Sequence, residues 1–435
     1  MRLETETVLQ RICGALRQPA PLMTGNLTGK HRLTTGHCSP TTAPRYNGHV
    51  FAKRTNWKLA PNRLTQALAQ ARAAGASILD LTESNPTRCG FHYREEEILT
   101  ALAQPRALRY EPDPRGLRLA RESVADYYAE RGAPMDPGHI VLTTGTSEGY
   151  SFVFRLLCDP GDEVLVPAPS YPLFQLLADV QDVKLIPYLL FYDHGWHLDL
   201  HSLRTAASPR TRAVMVVHPN NPTGSYVKPG EAEALTEFCR ERQLAIVADE
   251  VFLDYNHAGS PRPSFAGNGG ALTFTLSGLS KISALPQMKL AWIVTSGPPQ
   301  PAQTARERLE VIADTYLSLS TPLQLSLPRL LEQRQSIGPQ LLQRIAANLG
   351  ELDAQLARQK SCARLDLEGG WYAVLRVPVT ASDEDLAITL LQRHSVLVHP
   401  GHFYDFPGDG YLVLSLITPV ESFREGLQRI LQHIA

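Results

Sequence analysis

The chain has 435 residues, 43% of them hydrophobic, and a formal net charge of −1. That length exceeds what one hydrophobic core usually holds, so two domains are expected. The charge balance gives no reason for a nucleic acid or an anionic membrane as partner, no run approaches the roughly 18 apolar residues that span a bilayer, and no apolar h-region near Met1 marks a secretory signal. Six scattered cysteines (Cys13, Cys38, Cys89, Cys158, Cys239, Cys362) form no CxxC pair. They point away from a disulfide framework or a thiolate metal site and toward a reducing, cytoplasmic setting.

Residues 1–50 read as an irregular extension. From Met1 to Lys58 there are nine Lys/Arg against two Asp/Glu, and only Val8 to Leu16 offers a weak amphipathic helix. From Asn62 the pattern becomes regular. Leu64–Ala74 is Ala-rich and helical, Ile78–Leu81 is strand-like, and the apolar spacing after Gly116 gives a helical face. Strands are then expected at His139–Thr143, Glu163–Pro167, Val183–Tyr188, Ala213–Val217, Leu244–Ala248, Ala271–Ser277 and Leu290–Thr295, with helices between most of them. Apolar strands separated by helices predict an α/β fold with a mostly parallel, seven-stranded sheet covered on both faces. Such sheets hold ligands at the carboxyl ends of their strands. Beyond residue 300 come long helices, then short strands (Trp371–Val377, Val396–Val398, Tyr411–Ser415) and a last helix, Glu421–His433. The expected layout is a large domain over 111–310 and a smaller α+β domain from 51–110 plus 311–435.

Four segments at strand ends carry chemistry. Thr143-Thr144-Gly145-Thr146-Ser147-Glu148-Gly149 runs from a strand into a helix. Its free N–H groups and hydroxyls suit an anion, though Ser and Thr are also ordinary helix caps. His218-Pro219-Asn220-Asn221-Pro222-Thr223-Gly224 is turn-forming and brings two Asn side chains to the sheet edge. Asp249 emerges from the apolar run Leu244–Val247, where a carboxylate is costly unless a cation pairs with it. That cation is either a structural partner or the protonated ring nitrogen of a ligand. Ser277-Gly278-Leu279-Ser280-Lys281, with Lys289 beyond, surrounds a lysine with small residues directly after a strand. Most lysines are surface charges, whereas one in a site with lowered pKa becomes a nucleophile and base.

Taken in order, Gly145-Thr146, Asn221-Pro222-Thr223-Gly224, Asp249 and Ser280-Lys281 resemble the class I/II aminotransferases of pyridoxal-phosphate fold type I, over roughly residues 55–435. The resemblance implies that Lys281 forms a Schiff base with pyridoxal 5′-phosphate and shuttles the proton. It implies that Asp249 keeps the ring nitrogen protonated, that Asn221 hydrogen-bonds the phenolic oxygen, and that Tyr171 stacks on the ring. Gly145, Thr146 and Ser147 would cradle the phosphate with Ser277 or Ser280 nearby. Lys289 stands where the family usually has a phosphate-binding arginine. Tyr110 resembles the tyrosine that reaches the partner subunit's cofactor, which implies a homodimer. The implied reaction is transamination between an amino acid or amine donor and a 2-oxo acid acceptor.

Two positions depart from the family pattern. Phe252 replaces the tyrosine that donates to the phenolic oxygen, and Val413 replaces the arginine that clamps the substrate carboxylate. Arg88 and Arg393 are the alternative clamps, and a substrate without an α-carboxylate is the third reading. Loss of the clamp keeps a lyase or decarboxylase on the same fold as the alternative function, because orientation over the ring decides which bond breaks.

Overall fold

Ala213–Val217 is apolar at every position and buried at every position, as expected of a strand covered on both faces. The computed structural model describes residues 50–434 except 58, 258, 260 and 261. All but the last position of the expected N-terminal extension, residues 1–50, therefore lies outside the described residues. The first strand, β1 (Leu79–Asp80), is short. The main sheet follows, with β2 (Ile140–Thr143), β3 (Glu163–Ala168), β4 (Lys184–Tyr192), β5 (Trp196–Leu198), β6 (Thr211–Val217), β7 (Ala245–Asp249), β8 (Thr273–Gly278) and β9 (Ala291–Ser296). Their order is β2-β9-β8-β7-β6-β3-β4-β5. The seven expected strands are all present. Only β9 and the added edge strand β5 run against the others. The eighth strand, β5, has three residues, too few for a periodic signal. It folds back on β4 through His194 and Gly195, both at positive φ, as a tight hairpin requires.

Successive residues of one strand point to opposite faces, and here both faces are packed. Ala213, Met215 and Val217 of β6 join one apolar cluster with Val153 and Leu309, while Val214 and Val216 join another with Leu235 and Phe238. The helices Thr146–Leu157 and Pro299–Thr315 cover the first face, and Pro229–Arg242 covers the second.

The smaller sheet contains β10 (Ala363–Arg364), β11 (Tyr372–Arg376), β13 (His399–Pro400) and β14 (Tyr411–Ser415), in the antiparallel order β10-β11-β14-β13. Between β11 and β13, β12 (Val396–Leu397) pairs in parallel with β1. Helices Arg63–Ala73, Arg334–Leu356, Asp383–His394 and Val420–Ile434 pack around this part, in a core that includes Leu68, Leu341, Leu390 and Leu427.

One loop contact ties the two sheets together at the site. Gly224 sits at φ +69, and its carbonyl accepts the N–H groups of Glu368 and Gly369. A β-carbon on Gly224 would stand 2.5 Å from the Gly369 carbonyl oxygen. Gly224→Ala therefore meets both an unfavourable φ and a backbone overlap. The expected result is a loss of about 2 kcal/mol or more, read as a lower urea midpoint. An unchanged midpoint would show that the two loops can part at no cost.

Candidate active site

The strands β2, β6, β7 and β8 run in one direction, so their carboxyl ends meet at one edge of the sheet. Asp249 is the last residue of β7, flanked in register by Val217 of β6 and Leu276 of β8. It is 7% exposed. Its Oδ1 accepts the Val251 N–H at 3.1 Å and its Oδ2 accepts the Tyr150 hydroxyl at 2.8 Å. Burial pushes its pKa up, while these two donors and the charge of Lys281 pull it down. The carboxylate has two neutral donors and room for a cationic partner.

Lys281 lies on the short helix Leu279–Ile282, which begins where β8 ends. Burial lowers its pKa to about 8, with Asp249 and Cys89 acting in the opposite direction. Its Nζ stands 4.7 Å from the Trp371 ring centroid and 5.4 Å from that of Phe252. Two aromatic faces thus take the place of water around the ammonium. Phe252 is held edge-on against Trp371 at 5.2 Å and Tyr372 at 6.3 Å.

Lys281 and Asp249 open into one cavity of ≈ 310 Å³ that also contains Thr146, Ser147, Tyr171, Asn221, Phe252 and Ser280. Asn221 is buried, and its Oδ1 has no hydrogen-bond partner among the described residues. A buried carbonyl oxygen left in this state calls for a donor, or for the amide to turn over and present its N–H groups to a ligand acceptor. Gly145 precedes the helix Thr146–Leu157, and a β-carbon placed on it would be 3.5 Å from the Lys289 Nζ. Lys289 holds a left-handed backbone, φ 48. A helix N-terminus, two hydroxyls and an ammonium therefore converge, as a phosphate requires. A buried carboxylate, an unpartnered amide, an anion cradle and a lysine of lowered pKa together fit pyridoxal 5′-phosphate.

Not every expected residue reaches this cavity. The Ser277 hydroxyl donates to the Glu250 carbonyl at 3.3 Å, outside the lining. Tyr110 is 71% exposed and also outside it. Arg88 lies near Glu83 at 3.9 Å, and Arg393 is exposed on the helix Asp383–His394. Neither arginine lines the cavity. Val413 is buried in β14. Sequence reasoning did not foresee Thr82, Ser84, Tyr372, His399, Phe403 and Tyr404, which complete the wall from the smaller sheet and the loop after β1. Only the Gly369-Gly370 pair before Trp371 hinted that backbone approaches closely there.

A reactive lysine with a pKa near 8 should capture the cofactor differently from a surface lysine. In cofactor-free protein, the capture rate is expected to rise with pH and level off above about 8. Stopped-flow growth of the visible band would follow this. A rate still climbing toward the ordinary lysine value of about 10.4 would remove the effect of burial.

Residues 76–430 match the family model described as aminotransferase class I and II. A glutamate-pyruvate aminotransferase from Haemophilus influenzae is 25% identical over 83% of this chain and 91% of its own length. An alanine aminotransferase from Mycobacterium bovis is 28% identical over 84% of this chain and 87% of its own. Among solved structures, an alanine aminotransferase from Pyrococcus furiosus has a TM-score of 0.78 at 21% identity, covering 85% of this chain and 95% of that one. That likeness shows the shared fold.

Proposed function

The chain belongs to the class I and II aminotransferases, and on that premise we propose that it moves an amino group between an α-amino acid and a 2-oxo acid, with Lys281 carrying pyridoxal 5′-phosphate as a Schiff base. The observation that carries the reading is Lys281 and Asp249 buried on one cavity at adjacent strand ends. The cofactor, when bound, supplies an electron sink for the bond broken at the substrate's amino carbon. Asp249 holds a proton on the ring nitrogen, because a carboxylate buried this deeply demands a cation. Asn221 donates to the phenolic oxygen without the help that a tyrosine at Phe252 would give. Tyr171 stacks on the ring. Gly145, Thr146, Ser147, Ser280 and Lys289 hold the phosphate, and Ser277 supports the strand end behind them. The Nζ of Lys281, free as an amine, would take the α-proton from the substrate and deliver it to the carbon on the other side of the transferred nitrogen, so that the nitrogen stays behind when the 2-oxo acid leaves.

The exposed Tyr110 reaches the phosphate of a second copy's cofactor, which makes the working unit a homodimer. A reducing cytoplasmic setting is supported by three cysteines without a disulfide among the described residues, Cys158, Cys239 and Cys362. No helix among the described residues is long and apolar enough to cross a membrane. The names of the two relatives make L-alanine and L-glutamate, with pyruvate as acceptor, the first substrates to try.

Three measurements test this reading. Borohydride treatment of the holoenzyme should fix the cofactor on the Lys281 peptide, and a label on any other lysine refutes the assignment. Amino donor alone should bleach the cofactor's visible band and release one equivalent of 2-oxo acid, with pyruvate restoring the band. Recovery without a keto acid would mean that no amino group was transferred. Asp249→Asn should keep the label on Lys281 yet lower kcat on the order of 10²-fold, whereas unchanged kcat would exclude Asp249 as ring-nitrogen partner.

A further inference from the structure

β13 and β14 pair so that His399 stands directly opposite Val413. Opposed residues of an antiparallel pair project from the same face of the sheet, with Cβ atoms about 4.5–5.5 Å apart. His399 lines the cavity, while Val413 is buried. The place from which an arginine on β14 would reach the substrate is therefore aliphatic, and an imidazole stands beside it. His399 Nδ1 lies 3.0 Å from the Tyr404 hydroxyl, and Tyr404 lines the same wall. Among the described lining residues there is no arginine, and Lys281 is the one lysine.

We propose that His399, positioned by Tyr404, meets the substrate's α-carboxylate in the role an arginine at position 413 would have. This rests on the transaminase reading of the site. With Nδ1 bonded to Tyr404, Nε2 is the ring atom left to contact the carboxylate.

The electrostatics differ from those of a fixed cation. Burial lowers the His399 pKa to about 4, so the ring is neutral near pH 7 before substrate enters. Asp80 is the charge that favours protonation, and its Oδ1 is already bonded to the Thr82 N–H and hydroxyl. Lys281 and Asp249 share the cavity and oppose each other, and the other titratable side chains on its wall are Tyr171, Tyr372 and Tyr404. An incoming carboxylate adds a negative charge beside Nε2 and favours the imidazolium. The ring then takes one proton from solvent as the carboxylate binds. The sign follows: the free ring titrates near 4 and the occupied one higher, so between those values affinity falls about tenfold per unit rise in pH. An arginine would show no such slope.

The test uses the holoenzyme and propionate, a carboxylate with no amino group. Its inhibition constant, and its effect on the cofactor's visible band, would be measured from pH 5 to 8.5. The constant should rise steeply with pH in the native protein and lie flat in His399→Gln. The same variant should raise KM for L-alanine about 10- to 100-fold, the worth of one charge-assisted hydrogen bond, with kcat changed far less. Tyr404→Phe is the second variant, expected to keep a weaker slope. Retention of the visible band and of the melting transition reports folding in both. A flat profile in the native protein, or His399→Gln with unaltered KM, overturns the proposal. So does ethylamine bleaching the band as fast as L-alanine, since no carboxylate would then be recognised. Failure of every amino donor while propionate still binds with the expected slope would instead refute the transaminase reading.

Discussion

Two opposite charges buried at the end of one sheet set the terms for everything around them. Taking a carboxylate and an ammonium out of water costs several kcal/mol each, even after relaxation. Asp249 and Lys281 each lower the other's cost, and each shifts the other's pKa toward the charged form. The remainder falls to specific neighbours: the Val251 N–H and the Tyr150 hydroxyl for Asp249, two aromatic faces for Lys281. The balance is incomplete without a ligand. The carboxylate still has its pKa raised, the lysine is driven toward the neutral amine, and the Asn221 amide oxygen has no partner among the described residues. The site is shaped for a group that brings a cation to Asp249 and a carbonyl to Lys281.

The aromatic wall explains how the lysine is kept in place. Phe252, Tyr255 and Trp371 meet edge to face at 5.1 to 6.4 Å. They come from the turn after β7 and from the residue just before β11, so the wall forms only when the smaller sheet docks on the larger. Gly224 permits that approach because its carbonyl side faces the 368–369 loop with no side chain between them. Phe252 belongs to this packing. A phenylalanine suits an edge-on contact in a dry cluster, and it removes a hydroxyl that another member of the family would direct at the cofactor.

Much of this could be read in the sequence. Asp249 was legible because an acidic residue ending an apolar run is an energetic exception, and Lys281 because small residues crowd it immediately after a strand. The seven strands of the main sheet were legible as apolar runs separated by helical segments. The hairpin strand Trp196–Leu198 was not, since three residues carry no period. The second half of the site was hidden for a different reason. His399, Tyr404 and Tyr372 lie far beyond Lys281 in the chain, in segments that read as ordinary short strands and turns. Nothing local marks a histidine as lining a pocket.

The sequence alone determined the α/β fold and marked Lys281 and Asp249 as candidate site residues, because strand burial and the cost of isolated charge depend on local chemistry. It also showed that an arginine was missing at Val413. Only the tertiary structure decided what stands beside that position. Cross-strand neighbours are set by register, and the pairing of His399 with Val413 depends on two strands meeting antiparallel. Tertiary structure likewise kept Arg88 and Arg393 out of the cavity and brought Lys289 next to Gly145. These are long-range facts of packing, which no spacing along the chain encodes.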